Sequence, residues 1–429
     1  MAFKDAKDAL SWLSKHEICS GRFGLHRMEF IMDHLGNPQN DIPCVLIGGT
    51  NGKGSVTVIL ESIIASTEQY LVGSTISPHL TDARERIRIQ GKFLPAEYWL
   101  RGIDALPDIV KVMERESSLE APSFFELMTA LAFWAFRETD RDIAVIEVGL
   151  GGRLDATNVS NPEVSIITNI GTDHQDMLGP DRPSIAREKL GILRRKRTLV
   201  TGEKDPRILE IFSQACKKIQ TKLVTVETHD NFHCLESNHK GHTVEITGID
   251  EKINYPLAGM HQLENLSVAL ATIDCLRANR FDIPPEAVKK GIESVVWPGR
   301  LQWFDGNPPI LIDGAHNNEG LHSLLDYLDR FPMPRPCHLI LGALQKKPVA
   351  AMADLLASKA DSLSFVAPTC LRALKQDDFK ALVLPTNSRW QWHENLNSAL
   401  DAGKNSASIL VTGSLYLIAD FLRLRSSTS

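Results

Sequence analysis

Residues Ile47–Ser55 read IGGTNGKGS, and this stretch indicates the fold of the region around it. A β-rich apolar run, Cys44–Ile47, precedes it, and a run with helical character, Val56–Ala65, follows it. A strand, a glycine-rich turn and a helix start, in that order, direct backbone N–H groups toward a phosphate. The stretch therefore predicts a phosphate-binding loop between a strand and a helix.

Each residue of this loop has a physical role in the prediction. The glycines permit left-handed torsions, Lys53 offers a charge to phosphate oxygens, and Ser55 offers a hydroxyl to Mg2+. The loop departs from the common GxxxxGK[ST] pattern, because Ile47 replaces the first glycine and Gly54 separates Lys53 from Ser55. An ordinary glycine-rich turn is the alternative. The residues expected to hold the nucleotide are Gly49, Thr50, Asn51, Gly52, Lys53, Gly54 and Ser55.

The composition of the 429-residue chain limits the class of protein. This length exceeds one compact core, so we expect more than one domain. A net charge of −6 argues against a protein that binds duplex nucleic acid. Seven cysteines without a CxxC pair favour a reducing cytoplasm. No apolar run is long enough to span a membrane, and the charged stretch Lys4–Asp8 argues against a signal peptide.

Apolar runs alternate with amphipathic stretches before residue 297, which predicts a parallel sheet covered by helices. Tyr70–Ile76, Ile143–Val148 and Val164–Ile170 are predicted strands. The alternating charges of Arg84–Ile89 predict another strand, with one charged face. Loops at the carboxyl ends of parallel strands meet at one edge, where ligands bind. Glu147 lies at such an end and is expected to hold Mg2+.

A second sheet is predicted after Trp297–Phe304, WPGRLQWF, where Pro298 and Gly299 interrupt the pattern. Strands and helices alternate again beyond this point, without a GxGxxG dinucleotide motif. We therefore expect an α/β protein with two domains. Residues 1–296 would form an N-terminal P-loop NTPase-like parallel-sheet domain, and residues 297–429 a smaller C-terminal Rossmann-like α/β domain.

The motifs occur in an order known from one protein family. They are GTNGKGS, SPHL, EVGLGGRLDATN, NIGTDHQDMLG, GMHQLEN, PGRLQ and IDGAHN. From about Gly21 to its C-terminus the chain resembles the folylpolyglutamate synthase and dihydrofolate synthase branch of the Mur ligase superfamily. The resemblance implies an amide ligation in which ATP phosphorylates a carboxylate of dihydropteroate or of a folate such as tetrahydrofolate. The amine of L-glutamate then attacks the acyl phosphate.

The resemblance also implies residues for the phosphates and the metal. Lys53 would bind the β- and γ-phosphates, Ser55 and Glu147 would hold one Mg2+, and His174 would bind a second metal ion. Lys189 resembles a lysine that is carbamylated, and a carbamate can bind a metal where an ammonium cannot. Without the resemblance, His174 is interpreted as an ordinary loop or core residue and Lys189 as a solvated helix residue.

Residues from both domains resemble nucleotide contacts of the family. Asn265 and Arg300 resemble the adenine and phosphate contacts, and Asp313 and His316 resemble the ribose and active-site contacts. The nucleotide would therefore lie between the domains, and domain closure would keep water from the acyl phosphate. The catalytic set that the resemblance implies is Lys53, His174, Lys189 and His316.

The substrate contacts are implied by the same resemblance. Phe125, Asp155 and Ala156 resemble the pterin pocket, where a carboxylate can accept two N–H bonds and an aromatic face can stack. Phe125 as a core residue is the alternative. Ser414, with His316, would meet the glutamate, and the alternative for Ser414 is a helix N-cap.

The substrate range is open at this point. Asp155 and the polar loop Gly21–Glu29 favour a bifunctional enzyme, and the alternative within the family has folylpolyglutamate synthase activity only. Gln345 and Lys347, in ALQKKP, replace acids that family members usually carry, so this chain lacks the carboxylates that would make the hydrogen bonds or closure contacts of those acids. A phosphate-loop NTPase that acts as a switch is the alternative outside the family. We expect a monomer, as is common in the family.

Overall fold

The computed structural model describes residues 3, 5–16, 24–116, 119–345, 347, 349–380 and 390–426. Of the polar segment Gly21–Glu29, residues 21–23 lie outside the described residues, as do Lys346 and Pro348 of ALQKKP. From His26 onward the predicted loop is wrong, because His26–His34 is a helix, whereas Gly24 and Leu25 precede it. Within the described ranges, no helix is both long and apolar enough to cross a membrane.

Strands and helices alternate along most of the described chain. The helices are α1 (Ala6–Ser14), α2 (His26–His34), α3 (Lys53–Ala65), α4 (Ala96–Glu116), α5 (Phe124–Glu138), α6 (Gln175–Leu178), α7 (Arg182–Lys189), α8 (Pro206–Ile219), α9 (Met260–Asn279), α10 (Pro285–Ser294), α11 (Asn318–Arg330), α12 (Val349–Ala357), α13 (Gln376–Lys380), α14 (Leu396–Gly403) and α15 (Leu415–Ser426). The strands are β1 (Cys44–Gly48), β2 (Val72–Thr75), β3 (Ile87–Ile89), β4 (Lys92–Phe93), β5 (Ile143–Glu147), β6 (Val164–Ile167), β7 (Thr198–Thr201), β8 (Lys222–Thr225), β9 (Phe232–Asn238), β10 (Gly241–Ile246), β11 (Lys252–Tyr255), β12 (Gln302–Phe304), β13 (Ile310–Ile312), β14 (Cys337–Gly342), β15 (Ser362–Val366), β16 (Trp390–His393) and β17 (Ser408–Thr412).

The larger sheet has eight strands in the order β4-β3-β2-β5-β1-β6-β7-β8. The strands from β2 to β8 in this order run parallel, whereas β3 and β4 are antiparallel at one edge. The central strand β1 pairs with β5 through Ile47 and Glu147, and with β6 through Gly48 and Ile167. The register therefore brings the loops after these three strands to one edge of the sheet.

This sheet is buried on both faces, as its apolar runs predict. Successive side chains of β1 point to opposite faces, so Leu46 joins one hydrophobic cluster and Val45 and Ile47 join another. Helix α5 contributes to the first cluster, and α3 and α9 contribute to the second. Helices on both faces make this a three-layer α/β domain.

A second, smaller sheet has the order β12-β13-β17-β14-β15-β16, parallel except for β12. A separate three-stranded antiparallel sheet contains β9, β10 and β11. The large parallel sheet followed by a smaller α/β unit confirms the predicted fold class. The second sheet begins at Gln302, and the domain boundary at residue 297 stays a prediction.

The predicted strand Arg84–Ile89 is wrong in its first half. Ala83–Arg86 form a 3-10 turn, and only Ile87–Ile89 are a strand. A capping box explains the difference, because the Asp82 side chain accepts from the backbone of the turn while Glu85 accepts from the backbone of Asp82. Alternating charge therefore marks a capped turn here rather than one face of a strand.

A methyl group added to Gly73 tests the packing of the larger sheet. Its Cβ would lie 2.4 Å from Cδ1 of Phe136, so Gly73→Ala should lower the free energy of unfolding in urea by about 1–3 kcal/mol. Gly24→Ala is the matched control, because a Cβ there meets no atom of the described residues within 4 Å. Equal losses in the two variants would contradict this description of the core.

Candidate active site

The loop between β1 and α3 depends on glycine at two positions. Gly49 and Gly52 have φ angles of 137° and 85°, which side chains rarely adopt. A Cβ on Gly49 would lie 1.8 Å from Oγ1 of Thr168, and one on Gly52 would lie 2.3 Å from Oδ1 of Asn265. The loop is thus enclosed by α9 and by the end of β6. Asn265, the predicted adenine contact, lies directly against it.

Two lysines converge on one carbonyl of this loop. Nζ of Lys53 donates to the carbonyls of Gly49 and Thr50 at 3.2 and 3.1 Å, and Nζ of Lys189 donates to the carbonyl of Gly49 at 2.9 Å. Lys189 is buried at the end of α7 and is not the solvated residue that helix periodicity alone indicates. Burial, and next the charge of Lys53, lower the pKa of Lys189 to about 7.

A buried carboxylate stands beside the loop. Burial raises the pKa of Glu147, while the charge of Lys53 and the bond from Ser77 N to Oε2, at 2.9 Å, oppose that rise. Among the described residues no hydrogen bond reaches Oε1 of Glu147 or the hydroxyl of the buried Ser55. These two free oxygen donors fit a hard cation such as Mg2+, which prefers carboxylate and hydroxyl ligands.

The loop after β6 holds the phosphate loop from the other side. Oγ1 of Thr168 donates to the carbonyl of Asn51 at 2.6 Å, and the amide of Thr50 donates to the carbonyl of Asn169 at 3.0 Å. Oδ1 of Asn169 accepts from the amide of Asn51 at 3.1 Å. Neither Thr168 nor Asn169 has a role among the residues predicted from the sequence, although Asn169 begins NIGTDHQDMLG and Thr168 directly precedes it.

His174 follows in this loop with a φ of 57°, a left-handed torsion. Its ring is partly exposed, and Nε2 lies 3.8 Å from Oδ2 of Asp173. Burial lowers the pKa of His174 and Asp173 opposes this, while the charges of Lys347 and Lys53 lower it further. The imidazole is therefore largely neutral at neutral pH, as metal ligation requires. The described residues contain no cluster of His, Cys, Asp and Glu that could by itself hold a metal.

The second domain brings Asp313, Arg300 and His316 to the same place. Burial raises the pKa of Asp313, whose oxygens accept from the amides of Leu301 and Ala315 at 3.0 and 2.9 Å. Burial also lowers the pKa of His316 to about 4. Nη1 of Arg300 would lie 2.7 Å from a Cβ on Gly314, and the charge of Arg300 lowers the pKa of Asp313, His316 and Glu147.

Direct contacts join the two domains at this site. Nδ2 of Asn317 donates to Oδ1 of Asn51 at 3.0 Å and to Oδ2 of Asp173 at 3.3 Å. Nζ of Lys347 donates to Oδ1 of Asp173 at 2.8 Å, which holds the pKa of Asp173 well below its usual range although burial alone would raise it. Lys347 is part of the ALQKKP departure, so a cation here supplies an interdomain contact.

Four predicted substrate residues also have structural roles. Asp155 accepts from the amides of Leu150 and Thr157 at 2.8 and 3.0 Å, so it caps the turn that contains the buried Ala156. The ring of Phe125 packs on Gly149, where a Cβ would lie 2.5 Å from Cζ. Oγ of Ser414 accepts from the amide of Tyr416 at 3.1 Å, at the start of α15. The ligand roles of these four residues stay predictions.

The sequence matches two domain families. The pattern of the Mur ligase middle domain matches residues 47–273, and that of the Mur ligase, glutamate ligase domain matches residues 299–415. The chain is 31% identical, over 428 residues, to the dihydrofolate synthase/folylpolyglutamate synthase of Bacillus subtilis (strain 168). This similarity covers 97% of the present chain and 98% of that protein.

Solved structures have the same fold. The Mycobacterium tuberculosis folylpolyglutamate synthase complexed with ADP and AMPPCP has a TM-score of 0.86 at 30% identity, over 98% of this chain and 99% of that chain. The E. coli FolC structure in complex with DHPP and ADP has a TM-score of 0.82 at 29% identity, over 98% of each chain. Both similarities extend over the two sheets and the site between them.

Replacement of Asn317 by Asp separates its two roles. Oδ1 of Asn317 caps α11 by accepting from Gly320 N at 2.9 Å, and Asp caps equally well. Asn317→Asp loses the Nδ2 donor and places a second carboxylate against Asp173. We expect a larger radius of gyration in X-ray scattering, because about 1–3 kcal/mol of domain contact is lost.

Asn318→Asp is the matched control for this experiment, since it makes the same charge change at an adjacent exposed position. It should leave the radius of gyration unchanged. Equal radii for the two variants would show that Asn317 does not hold the domains together.

Proposed function

Because this chain belongs to the Mur ligase family, in the branch of dihydrofolate synthases and folylpolyglutamate synthases, we propose that it joins L-glutamate to two kinds of acceptor. The first is dihydropteroate, which becomes dihydrofolate, and the second is the glutamyl carboxylate of a reduced folate such as tetrahydrofolate. Like other members of the family it is a ligase that forms C–N bonds at the expense of ATP. We further propose that it acts as a monomer in the cytoplasm.

One observation carries the proposal for this chain. The phosphate loop, the Glu147 carboxylate and the loop of Asp313 and His316 meet where Asn317 bonds to Asn51. A hydrolase needs only the first two, whereas a ligase must also bring a nucleophile to the activated carboxylate. We propose that the second domain supplies that third component.

The reaction has two steps. A carboxylate oxygen of the acceptor attacks the γ-phosphorus of ATP, which forms an acyl phosphate and releases ADP. The amine nitrogen of L-glutamate then attacks the acyl carbon, loses a proton, and displaces inorganic phosphate. Lys53 and Arg300 would stabilise the charge on the phosphate oxygens, and closure of the domains would keep water from the acyl phosphate.

His316 is suited to the second step. Its Nδ1 lies 2.8 Å from the carbonyl of Gly314, which favours the tautomer with the proton on Nδ1. Because burial lowers the pKa of His316 to about 4, Nε2 then keeps a free lone pair at neutral pH. We propose that Nε2 accepts a hydrogen bond or the proton from the glutamate amine, with Ser414 near the glutamate carboxylate.

Ser55, Glu147 and His174 would hold Mg2+. Bound Mg2+ would neutralise phosphate oxygens during transfer. Oε1 of Glu147 and the hydroxyl of Ser55, which have no hydrogen-bond partner in the described ranges, support this assignment. Asn265 would contact the adenine and Asp313 the ribose. On the acceptor side, we propose that Phe125, with Asp155 and Ala156, forms one wall of the pterin site.

Phosphate release from ATP tests the proposal. Dihydropteroate or tetrahydrofolate is supplied in separate reactions, with and without L-glutamate, and the products are weighed by mass spectrometry. Release should require both acceptor and glutamate, and each product should be heavier by one glutamyl residue. Turnover of tetrahydrofolate but never of dihydropteroate would leave folylpolyglutamate synthase activity only. Release indifferent to acceptor and glutamate would contradict ligation.

Substitution of Lys53 tests its proposed contact with the phosphates of ATP. Lys53→Ala should lower turnover by about 10²–10³-fold or more, because a charge that contacts the transferred phosphoryl group is removed. Lys111→Ala is the control, since Lys111 is an exposed lysine whose one ion pair within the described part of the chain is with Asp108. Comparable turnover in the two variants would remove Lys53 from the proposed site.

Carbamylation of Lys189 can be tested without an activity assay. The neutral amine adds CO2 and releases a proton to give a carbamate, so the low pKa of Lys189, about 7, favours the reaction near neutral pH. With carbon-13 bicarbonate, NMR should show one carbamate resonance that strengthens as the pH rises through about 7. It should persist in the exposed control Lys290→Ala and vanish in Lys189→Ala. A resonance unaffected by Lys189→Ala would contradict the assignment.

A further inference from the structure

Trp297 lies against the phosphate loop, although it belongs to the segment that leads into the second domain. A Cβ on Gly54 would lie 2.6 Å from Cζ2 and 3.4 Å from Cε2 of the indole. The same Cβ would lie 3.4 Å from Oε2 of Glu147. The indole ring therefore occupies the space that a side chain at position 54 would need.

This contact explains the glycine that interrupts the phosphate-loop pattern. Gly54 lies in the first turn of α3, and its φ is not among the left-handed torsions of the chain. Alanine is favoured over glycine in a helix by about 1 kcal/mol, so the backbone gives no reason for glycine at this position. The space taken by Trp297 gives one.

The residues that follow Trp297 are fixed to the second domain. The amide of Gly314 donates to the carbonyl of Gly299 at 3.0 Å, and the amide of Leu301 donates to Oδ2 of Asp313 at 3.0 Å. Gly299 has a φ of 75°, and a Cβ there would lie 2.8 Å from Cγ2 of Ile418. A short segment thus joins the phosphate loop at one end to the second domain at the other.

Arg300 lies within this segment, three residues after Trp297. Its guanidinium group has no hydrogen-bond partner among the described residues, and Nη1 would lie 2.7 Å from a Cβ on Gly314. The arginine is therefore placed by the backbone on either side of it rather than by bonds of its own. A shift of the indole on Gly54 would move the backbone that carries Arg300.

We propose that Trp297 is a positioning residue that couples the phosphate loop to Arg300 across the domain junction. The inference rests on the proposed function, in which the loop and Arg300 bind the same nucleotide. The indole is large and rigid and packs at the edge of the second hydrophobic cluster, so a change at Gly54 is transmitted rather than absorbed.

A double-mutant cycle between positions 54 and 297 tests the contact. Binding of a non-hydrolysable ATP analogue is measured by calorimetry for Gly54→Ala, Trp297→Leu and the double variant. Each single change should weaken binding by about tenfold, and the double variant should lose about tenfold rather than about a hundredfold. The cause is that the added methyl group collides only when the indole is present. Losses that multiply would overturn the coupling.

Tryptophan fluorescence supplies a readout that a merely structural role would not change. The ATP analogue should alter the emission of the unaltered protein and of Trp303→Phe, but not of Trp297→Phe. Trp303 is the matched control, because it follows in the same segment and its Nε1 donates to the hydroxyl of Tyr327 at 2.8 Å, within the second domain. Melting temperatures establish that each variant folds.

The outcomes separate the two proposals. No binding of the analogue by the unaltered protein would contradict the proposed function. Binding with an emission change that survives in Trp297→Phe, at unchanged affinity, would overturn only the role of Trp297. Loss of the emission change in Trp297→Phe alone, with weaker binding and a retained fold, is the expected result.

Discussion

The common edge of three neighbouring parallel strands is the constraint on which the site depends. Strand β1 lies between β5 and β6. The pairing of Ile47 with Glu147 brings the carboxyl ends of β1 and β5 to the same level in the sheet. That register positions the phosphate loop and the Glu147 carboxylate. It also positions Thr168 and Asn169, which form hydrogen bonds with the loop. A slip by one residue would turn Glu147 to the opposite face of the sheet and remove it from the loop.

Ionisable groups buried around this edge differ in how many hydrogen bonds the protein supplies to them. Asp155 and Asp313 each accept two or more backbone amides, so their charge is stabilised by the fold itself. Glu147 has one such bond, and Lys189 shares one carbonyl with Lys53. Buried charges with few partners cost stability and gather at functional sites, where a ligand supplies what the chain omits. Glu147 and Lys189 are therefore the groups that depend most on bound ligands.

The sequence was sufficient for the parts that local chemistry determines. Glycine spacing and apolar periodicity predicted the phosphate loop, the central strands and the fold class, and the position of Glu147 at a strand end placed it beside Lys53. The contacts of Asn317 with Asn51 and of Trp297 with Gly54 could not be predicted, because they depend on how two separate sheets meet. The type of a residue also did not decide between alternative roles. A serine at position 414 suits a helix N-cap as well as a contact with glutamate.

The central claim is that ATP activates a carboxylate of the acceptor before glutamate attacks it. The most direct measurement uses an acceptor whose carboxylate is labelled with oxygen-18, with mass analysis of the phosphate released during turnover. Attack through an acyl phosphate transfers one labelled oxygen to each phosphate, because the bond that breaks joins that oxygen to the acyl carbon. We expect this transfer with dihydropteroate and with tetrahydrofolate. Unlabelled phosphate released at the rate of product formation would contradict the account.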